Sequence, residues 1–521
     1  MYRHGAERYF VIGEGLFEEG DDKAVALAPA QPPPFRFARM GPKGDGKQLS
    51  VAVRKRLAAA ITQGGGGSGN IPAGFTYLGQ FVDHDLTFDK TSVMLGERVT
   101  PAAMLQGRSP SLDLDSLYGA GPLDPVSEKF YRTDKRRLNI GKTVAAGGDP
   151  VLNGFDLPRG AGTSIKAKRK AIIPDFRNDE NLAVAQTHTA FIRFHNRIVD
   201  TLPTSVQPAL KFATARELAI KHYQWMIRHD FLPRICKASV LNDVFNNGRK
   251  AFEVGANPTD VPAMPIEFSI AAYRLGHSMI RAAYNWNRRF DDGAGFLEYL
   301  FIFSATSGDL GGELRLSSNW VADFRRLYDF SEAGRANLVV PANKFNRAMR
   351  IDTRLSDPLA HLPAGSFGGT STPTNAPVDN LAFRNLTRAK MTRLATGQQM
   401  ATFLQSKGVT LTKLTKSQIK NGQNGANLDA LTPAQRDEVA TNTPLWFYIL
   451  REAELNGGKL NGVGARIVAE TFHRAMEGSD HSIVRDPTWR PTFGPNSNTF
   501  RMVDLLLFAF EGKKALIAPL G

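Results

Sequence analysis

The residues best suited to chemistry lie together in one short apolar segment, residues 78–88. Its apolar positions recur three or four residues apart, which predicts a short helix with one buried face. Four side chains that donate, accept or ionise stand among them: Gln80, Asp83, His84 and Asp85. Burying so many polar groups without partners costs free energy. The cluster therefore indicates a functional site, the alternative being an exposed polar helix end with one satisfied histidine.

A second group of oxygen-bearing side chains stands at alternate positions further along: Ser109, Ser111, Asp113 and Asp115. Alternation places hard oxygen atoms on one side of an extended loop, and Asp85 could add one more. Calcium prefers six to eight oxygen ligands from carboxylates, carbonyls and water. The pattern is compatible with a calcium site, although by itself it is more typical of a solvated turn.

Two further segments carry ionisable side chains beside predicted helices. Arg177 and Glu180 come just before a helix predicted for residues 182–202, where side chains can point back into a cleft. His188 and His195 lie seven residues apart on that helix. Because helical metal pairs usually have i, i+4 spacing, we interpret both histidines as structural.

The fourth segment contains His277, preceded by Gly276, within a stretch at residues 268–284 that is predicted to be helical. Glycine permits the close approach of a flat group to the backbone. Taken alone, His277 fits a buried histidine bonded to a carbonyl better than a ligand.

Composition and charge limit the classes of function. The chain has 521 residues, of which 42% are hydrophobic and 22% charged, as in ordinary globular proteins. Its net charge is +15, yet no zinc-finger spacing, RNP-like aromatic pattern or dense basic helix accompanies it. We therefore expect no nucleic-acid partner, and instead a cationic surface that concentrates small anions.

Cysteine usage and hydropathy bear on the compartment. The single cysteine, Cys236, excludes an intrachain disulfide. The first residues lack the apolar core of a signal peptide, and no apolar run is long enough to span a bilayer. These features predict a soluble protein that is cytoplasmic or exported without a cleaved signal peptide, with its oligomeric state left open.

Apolar periodicity predicts a mainly α fold with little β structure. A further helix is predicted at residues 208–231, and two later ones begin at capping boxes, Thr396 with Gln399 and Thr432 with Gln435. Residues 410–429 are polar and predict a surface loop. Proline-rich and glycine-rich stretches predict an N-terminal arm over residues 1–70, followed by one large domain over residues 71–521.

In their order, these segments resemble the animal-type haem peroxidases, the superfamily that includes myeloperoxidase and lactoperoxidase, and in particular its bacterial members. The resemblance rests on Gly-Gln-Phe-Val-Asp-His-Asp at 79–85, Arg-Asn-Asp-Glu at 177–180, Arg-Leu-Gly-His at 274–277 and Arg-Asn-Leu-Thr-Arg at 384–388. The Asp-Pro-Thr-Trp-Arg-Pro run at 486–491 and residues 500–508 are similar to bacterial members, and these lack the paired cysteines of secreted mammalian members, as this chain does. The resemblance implies a single large peroxidase domain with haem between central helices.

The same resemblance implies a role for each candidate residue. His84 would be the histidine on the distal, peroxide side of the haem, with Arg177 as the distal arginine and Gln80 lining the same pocket. His277 would be the proximal iron ligand, and Asn385 would accept its ring proton in a hydrogen bond.

Further matches concern how haem and metal are held. Asp83 and Glu180 match the carboxylates that can form ester bonds to haem b. Arg388 and Arg274 match arginines near the haem propionates. The family's calcium ligands match five residues: Asp85, Ser109, Ser111, Asp113 and Asp115.

The implied activity is reduction of hydrogen peroxide, through a ferryl intermediate, with oxidation of small donors such as halides, thiocyanate or phenols, as in a response to oxidative stress. Two departures matter. Asn181 stands where the myeloperoxidase branch has a methionine linked to haem, and Arg274 stands where the fatty-acid oxygenases have a radical tyrosine, with Tyr273 one residue out of register. A fatty-acid dioxygenase and a non-catalytic haem-binding module remain the alternatives.

Overall fold

The computed structural model describes residues 35–91, 93, 95–146, 154–160, 162–362 and 379–521, together with the backbone of two short strands at residues 10–11 and 16–17. Helices dominate the described chain, and its strands are two to five residues long. The predicted mainly α fold is confirmed.

The α-helices follow one another along the chain with many 3₁₀ turns between them. They are α1 (Val51–Ile61), α2 (Gly74–Leu86), α3 (Asp115–Tyr118), α4 (Ile165–Arg169), α5 (Leu182–Thr201), α6 (Lys211–Met226), α7 (Leu232–Ile235), α8 (Ala238–Asn247), α9 (Ile266–Ile270), α10 (Leu297–Ile302), α11 (Leu381–Met391), α12 (Gly397–Ser406), α13 (Lys416–Asn421), α14 (Pro433–Thr441), α15 (Leu445–Leu455), α16 (Gly462–Glu477), α17 (Met502–Ala509) and α18 (Lys514–Ile517).

Within the described residues the strands pair two by two and build no larger sheet. The antiparallel pairs are β1 (Phe10–Val11) with β2 (Leu16–Phe17), β4 (Ser68–Pro72) with β10 (Arg347–Met349), β5 (Gly141–Lys142) with β6 (Phe155–Asp156), and β8 (Ala283–Tyr284) with β9 (Gly295–Phe296). The parallel pair is β3 (Phe37–Ala38) with β7 (Met264–Pro265).

The helix predicted at residues 78–88 exists as α2 and lies in the core. Its apolar side chains are fully buried, and Phe81 stacks on Phe191 of α5 with ring centroids 4.5 Å apart. Burying one such side chain contributes about 1.5–3 kcal/mol to folding. Thr87 turns into extended backbone and ends the helix. The polar residues of α2 are thus carried on a helix anchored by its apolar face.

Helix-start signals were read correctly, but the loop prediction between them was wrong in part. Both predicted capping boxes are present, at the starts of α12 and α14. Within the predicted surface loop, α13 forms behind a third capping box, and Ile419 and Leu428 are buried. Burial of Ile419 is enough to hold α13 against the core, although the surrounding sequence is polar.

The prediction that residues 268–284 are helical was also wrong in part. The α-helical part, α9, ends at Ile270. The next residue, Ala271, breaks the helix with a φ of −127° and a ψ of −69°, and a 3₁₀ segment, Ala272–Met279, follows. The Arg274 guanidinium donates to the Ser269 carbonyl over 2.8 Å, an acceptor that a continuous helix would offer to a backbone N–H. His277 therefore lies on a tighter turn than predicted.

Part of the predicted N-terminal arm belongs to the packed structure. Helix α1 buries Leu57 and Ile61 and packs against α11. Residues 1–34 lie outside the described residues apart from β1 and β2, so the division of the chain at residue 70 stays a prediction. Among the described helices, none combines the length and the apolar character needed to cross a bilayer.

Candidate functional site

One large cavity collects side chains that are far apart in the sequence. It encloses about 1070 Å³ of space not filled by protein atoms and lies among α2, the 3₁₀ turn Phe176–Asp179, the turn Ala272–Met279 and α11. Eight predicted site residues line it: Gln80, Asp83, His84, Arg177, Glu180, Arg274, His277 and Asn385. This volume includes space that is open to solvent at the mouth of the cavity.

His84 is held by an asparagine that the sequence analysis did not single out. Asn178 Oδ1 lies 2.9 Å from His84 Nδ1, and Asn178 Nδ2 lies 3.0 Å from His188 Nδ1. Because the amide nitrogen donates to His188, the amide oxygen accepts a proton from His84 Nδ1. The other nitrogen of His84, Nε2, is then the basic one, and it lies 3.5 Å from Glu180 Oε1.

The two histidines interpreted as structural are both buried and hydrogen-bonded. His188 accepts from Asn178, and burial lowers its pKa to about 3. His195 Nδ1 lies 3.0 Å from the Tyr118 hydroxyl, and its Nε2 lies 2.8 Å from the Arg136 carbonyl. His188 therefore contributes to the site by fixing Asn178, which the sequence interpretation did not foresee.

Arg177 is fixed in place by Asp175, another residue that the sequence analysis missed. Its Nε and Nη2 donate to the two carboxylate oxygens over 3.1 and 2.8 Å, and Nη2 also donates to the carbonyls of His84 and Thr87. Burial alone would raise the pKa of Asp175, but Arg108 and Arg177 hold that pKa well below its ordinary value. The only sequence signal was a carboxylate two residues before Arg177.

A chain of amides and carboxylates covers the side of the cavity near His84. Gln80 Nε2 donates to Glu180 Oε1, and Asn181 Nδ2 donates to Gln80 Oε1 over 2.9 Å. Asn181 also caps α5, since its Oδ1 accepts from the backbone N–H of Val184. Asn181, which stands where the myeloperoxidase branch has a methionine, thus has a structural role in this protein.

Asp83 lies on the same wall. It accepts from the Thr87 hydroxyl over 3.0 Å, and its Oδ2 lies 3.9 Å from Arg274 Nη1. Burial raises its pKa above the ordinary value. Asp83 and Glu180 therefore both offer carboxylate oxygens to the cavity.

His277 lines the same cavity and is paired with Asn385 of α11. Asn385 Nδ2 is 2.9 Å from His277 Nδ1. A histidine that binds a metal through Nε2 keeps its proton on Nδ1, and a half-turn of the amide brings Oδ1 to the place where it accepts that proton. Burial, helped by Arg274 and Arg388, lowers the pKa of His277 to about 3, which keeps the ring neutral.

Gly276 borders open space. A Cβ built on it would meet no described atom within 4 Å, and the residue lines the cavity. Packing against other protein atoms therefore does not require a glycine at position 276, whereas a flat ligand beside His277 would require one.

The two arginines matched to haem propionates are placed differently. Arg274 lines the cavity, and burial lowers its pKa to about 9. Arg388 is not among the described residues that line the cavity, and its Nη2 donates to Asp89 over 2.6 Å. The geometry favours the propionate role for Arg274 more than for Arg388.

The five residues matched to calcium ligands, Asp85, Ser109, Ser111, Asp113 and Asp115, are all buried. Asp85 accepts from the backbone N–H groups of Leu114 and Ser116, each over 3.1 Å, so its carboxylate ties the 109–116 turn to α2. Burial raises its pKa to about 7. In the part of the chain that the structure describes, no three His, Cys, Asp or Glu side chains are gathered as a metal cluster. Calcium stays a prediction without geometric support.

Solved structures define the class of fold. The chain is similar to peroxidase A from Dictyostelium discoideum, with a TM-score of 0.56, 14% identity, and 93% of this chain and 94% of that chain covered. It is also similar to the fatty acid alpha-dioxygenases of Arabidopsis thaliana (TM-score 0.52, 13% identity, 92% and 75% covered) and Oryza sativa (0.53, 10%, 89% and 76%). At these identities the likeness establishes the fold alone, a helical fold common to peroxidases and dioxygenases.

Sequence comparisons match part of the chain to known peroxidases. Residues 90–298 match the family model "Animal haem peroxidase". A peroxidase-like protein of Margaritifera margaritifera is 31% identical over 110 residues, 20% of this chain and 14% of that protein. Thyroid peroxidase of Rattus norvegicus is 24% identical over 186 residues, 34% of this chain and 20% of that protein. The matched part is thus at most a fifth of these relatives' length, and the family match covers residues 90–298 of this chain.

Proposed function

We propose that the protein is a haem peroxidase that uses hydrogen peroxide to oxidise small donors such as halides, thiocyanate or phenols. One observation carries the proposal. His84, Arg177, His277 and Asn385 come from four separate segments of the sequence and line a single cavity. We also propose a bacterial affiliation, which rests on the 486–491 run, on residues 500–508 and on the lack of paired cysteines.

The residues present fit haem b. His277 is neutral and available as a metal ligand, Gly276 leaves room beside it, and Asp83 and Glu180 could form ester bonds to the macrocycle edge. Bound haem would supply the redox chemistry that splits peroxide. We assign proton transfer and the stabilisation of negative charge to side chains of the protein.

His84 is the proposed proton carrier. With phenol donors, hydrogen peroxide becomes two molecules of water by accepting two electrons and two protons. With a halide or thiocyanate, which gives up two electrons, one peroxide oxygen ends in water and the other in the hypohalous or hypothiocyanous acid. Nε2 of His84 can take a proton from one peroxide oxygen and return it to the other, because Asn178 keeps the ring proton on Nδ1. A misoriented ring would present the protonated nitrogen and lose this function.

Arg177 is the proposed stabiliser of negative charge on the peroxide oxygens. Its Nε and Nη2 are engaged with Asp175 and backbone carbonyls, so we assign the interaction with peroxide to Nη1. A single preorganised donor of this kind is worth about 3–4 kcal/mol in a transition state. The anchored guanidinium needs no reorganisation when charge develops.

The test combines spectroscopy with turnover. A purified sample should show haem absorption, and bromide and phenol oxidation by peroxide should fall by about 10²-fold or more in His84→Ala. His361→Ala removes an exposed histidine as a matched control and should leave both rates unchanged. Equal rates in wild type, His84→Ala and His361→Ala would remove His84 from the mechanism.

A fatty-acid dioxygenase is the second candidate, favoured by the fold neighbours and by Tyr273. This tyrosine lines the cavity, and its hydroxyl is buried without a hydrogen bond to any described residue. Against it, the residue three before His277 is Arg274. Oxygen uptake with an unsaturated fatty acid, abolished in Tyr273→Phe, would favour the dioxygenase. Haem binding with neither activity would instead indicate a non-catalytic haem-binding module.

A further inference from the structure

We propose that a small inorganic anion binds in a second pocket, built around the Arg54 guanidinium and separate from the large cavity. The pocket encloses about 320 Å³ of space not occupied by protein atoms, between α1, α11 and the starts of α12 and α15. Its lining includes basic, amide and apolar residues and no aspartate or glutamate. This proposal does not depend on the proposed peroxidase function.

Arg54 is the central observation. The residue is 4% exposed, and its Nε and Nη1 are buried without a hydrogen bond to any described residue. Its guanidinium lies 5.8 Å from the Phe383 ring centroid, and burial lowers its pKa. A buried cation without an acceptor is costly. An anion in the pocket would supply the missing acceptor atoms and the opposite charge.

Two helix starts add positive potential at the same place. Thr396 and Pro444, which precede α12 and α15, both line the pocket and are joined by a β-bridge, so the two helices begin side by side. The start of α15 has no side-chain capping hydrogen bond. Helix N-termini attract anions through unpaired N–H groups and the helix dipole. The exposed Lys47 provides a further cation at the pocket lining.

The donors at the pocket, one guanidinium and the start of α15, suit a small anion, either a halide such as chloride or an oxyanion such as phosphate. Both would satisfy the same guanidinium and helix-terminal donors. The site adjoins α11, whose Leu386 and Ala389 line this pocket while Asn385 lines the large cavity. The two binding places are therefore distinct but share one helix.

Thermal unfolding of the full chain tests the proposal. Sodium chloride and sodium phosphate are titrated separately at constant ionic strength, with the bulkier gluconate as balancing anion. At least one of them should raise Tm by about 2 °C or more and then saturate. Lys55→Met, which removes an exposed charge from the same helix, should behave as wild type, and Arg54→Met should show no saturable rise.

Other outcomes overturn the proposal. A rise that is equal in wild type, Lys55→Met and Arg54→Met would be a general salt effect, and a flat response to both anions would mean that the pocket binds neither. A crystal of the wild-type chain soaked in bromide gives a readout that needs no variant. An anomalous peak within hydrogen-bond distance of Arg54 is expected, and its absence at this pocket would refute a halide site and leave phosphate to the titration.

Discussion

Asn178 joins His84 to His188 through the two ends of one amide, with Oδ1 2.9 Å from the first ring and Nδ2 3.0 Å from the second. Rotating the amide would break both bonds. Because burial lowers the pKa of His188 to about 3, that ring stays neutral at physiological pH and accepts from Asn178. The proton on His84 Nδ1 is thereby fixed by a residue that does not line the cavity.

Removing this link should slow the peroxide step without removing haem. In Asn178→Ala, we expect the second-order rate constant for peroxide consumption to fall about 10–100-fold, while the haem absorption per protein stays constant. Asn287→Ala removes another fully buried asparagine, one that bonds to backbone carbonyls away from the cavity, and controls for general destabilisation. Equal losses of rate in both variants would contradict a positioning role for Asn178.

Asp175 should be essential for stability as well as for activity. It is fully buried and shared by Arg108 and Arg177, so Asp175→Asn removes the negative charge that both buried guanidinium groups contact. We expect the free energy of unfolding in urea to fall by about 3–5 kcal/mol. Asp437→Asn breaks the exposed pair with Lys420 and should change little. Similar midpoints for Asp175→Asn and wild type would refute the structural role.

The two cavity carboxylates provide a covalent test of the haem proposal. If Asp83 and Glu180 form ester bonds, haem stays attached to the denatured wild-type chain after exposure to peroxide, and mass spectrometry finds it on peptides that contain these residues. Asp83→Asn and Glu180→Gln should each lose one attachment, and together they should release the haem. Release of all haem from the denatured wild-type chain would exclude the ester bonds and leave the peroxidase proposal standing.

Glu452 should make stability depend on pH. It is buried and accepts from the backbone N–H groups of Val463 and Gly464, yet burial raises its pKa to about 8. Between the unfolded value of 4.5 and about 8, the unfolded chain loses this proton and the folded chain keeps it. The contribution of Glu452 to the free energy of unfolding is therefore constant below pH 4.5 and decreases as the pH rises from 4.5 to about 8.

Urea unfolding of wild type and Glu452→Gln measures this effect. The unfolding free energy of wild type should fall relative to Glu452→Gln between about pH 5 and pH 8 and then level off. Glu298→Gln alters an exposed glutamate and should show no such window. A constant difference between wild type and Glu452→Gln across this range would show that Glu452 titrates normally.

Sequence patterns predicted those helices that depend on interactions between residues close together in the chain. The spacing of apolar residues predicted α2 and α5, and the paired Thr and Gln side chains predicted the starts of α12 and α14. These signals act within a few residues, so no knowledge of the rest of the chain is needed. Where long-range packing intervened, as at the break at Ala271 and in α13, the same reasoning failed.

The sequence by itself determined which side chains are candidates for chemistry and, through its motifs, the family that they resemble. Only the tertiary structure decided that Gln80, His84, Arg177 and His277 share one cavity, that Arg388 turns to Asp89, and that Arg54 lies buried beside a separate pocket. The physical reason is that hydrogen-bond partners and burial depend on contacts between segments a hundred or more residues apart. Such contacts produce no periodic pattern of residues in either segment, so sequence patterns do not predict them.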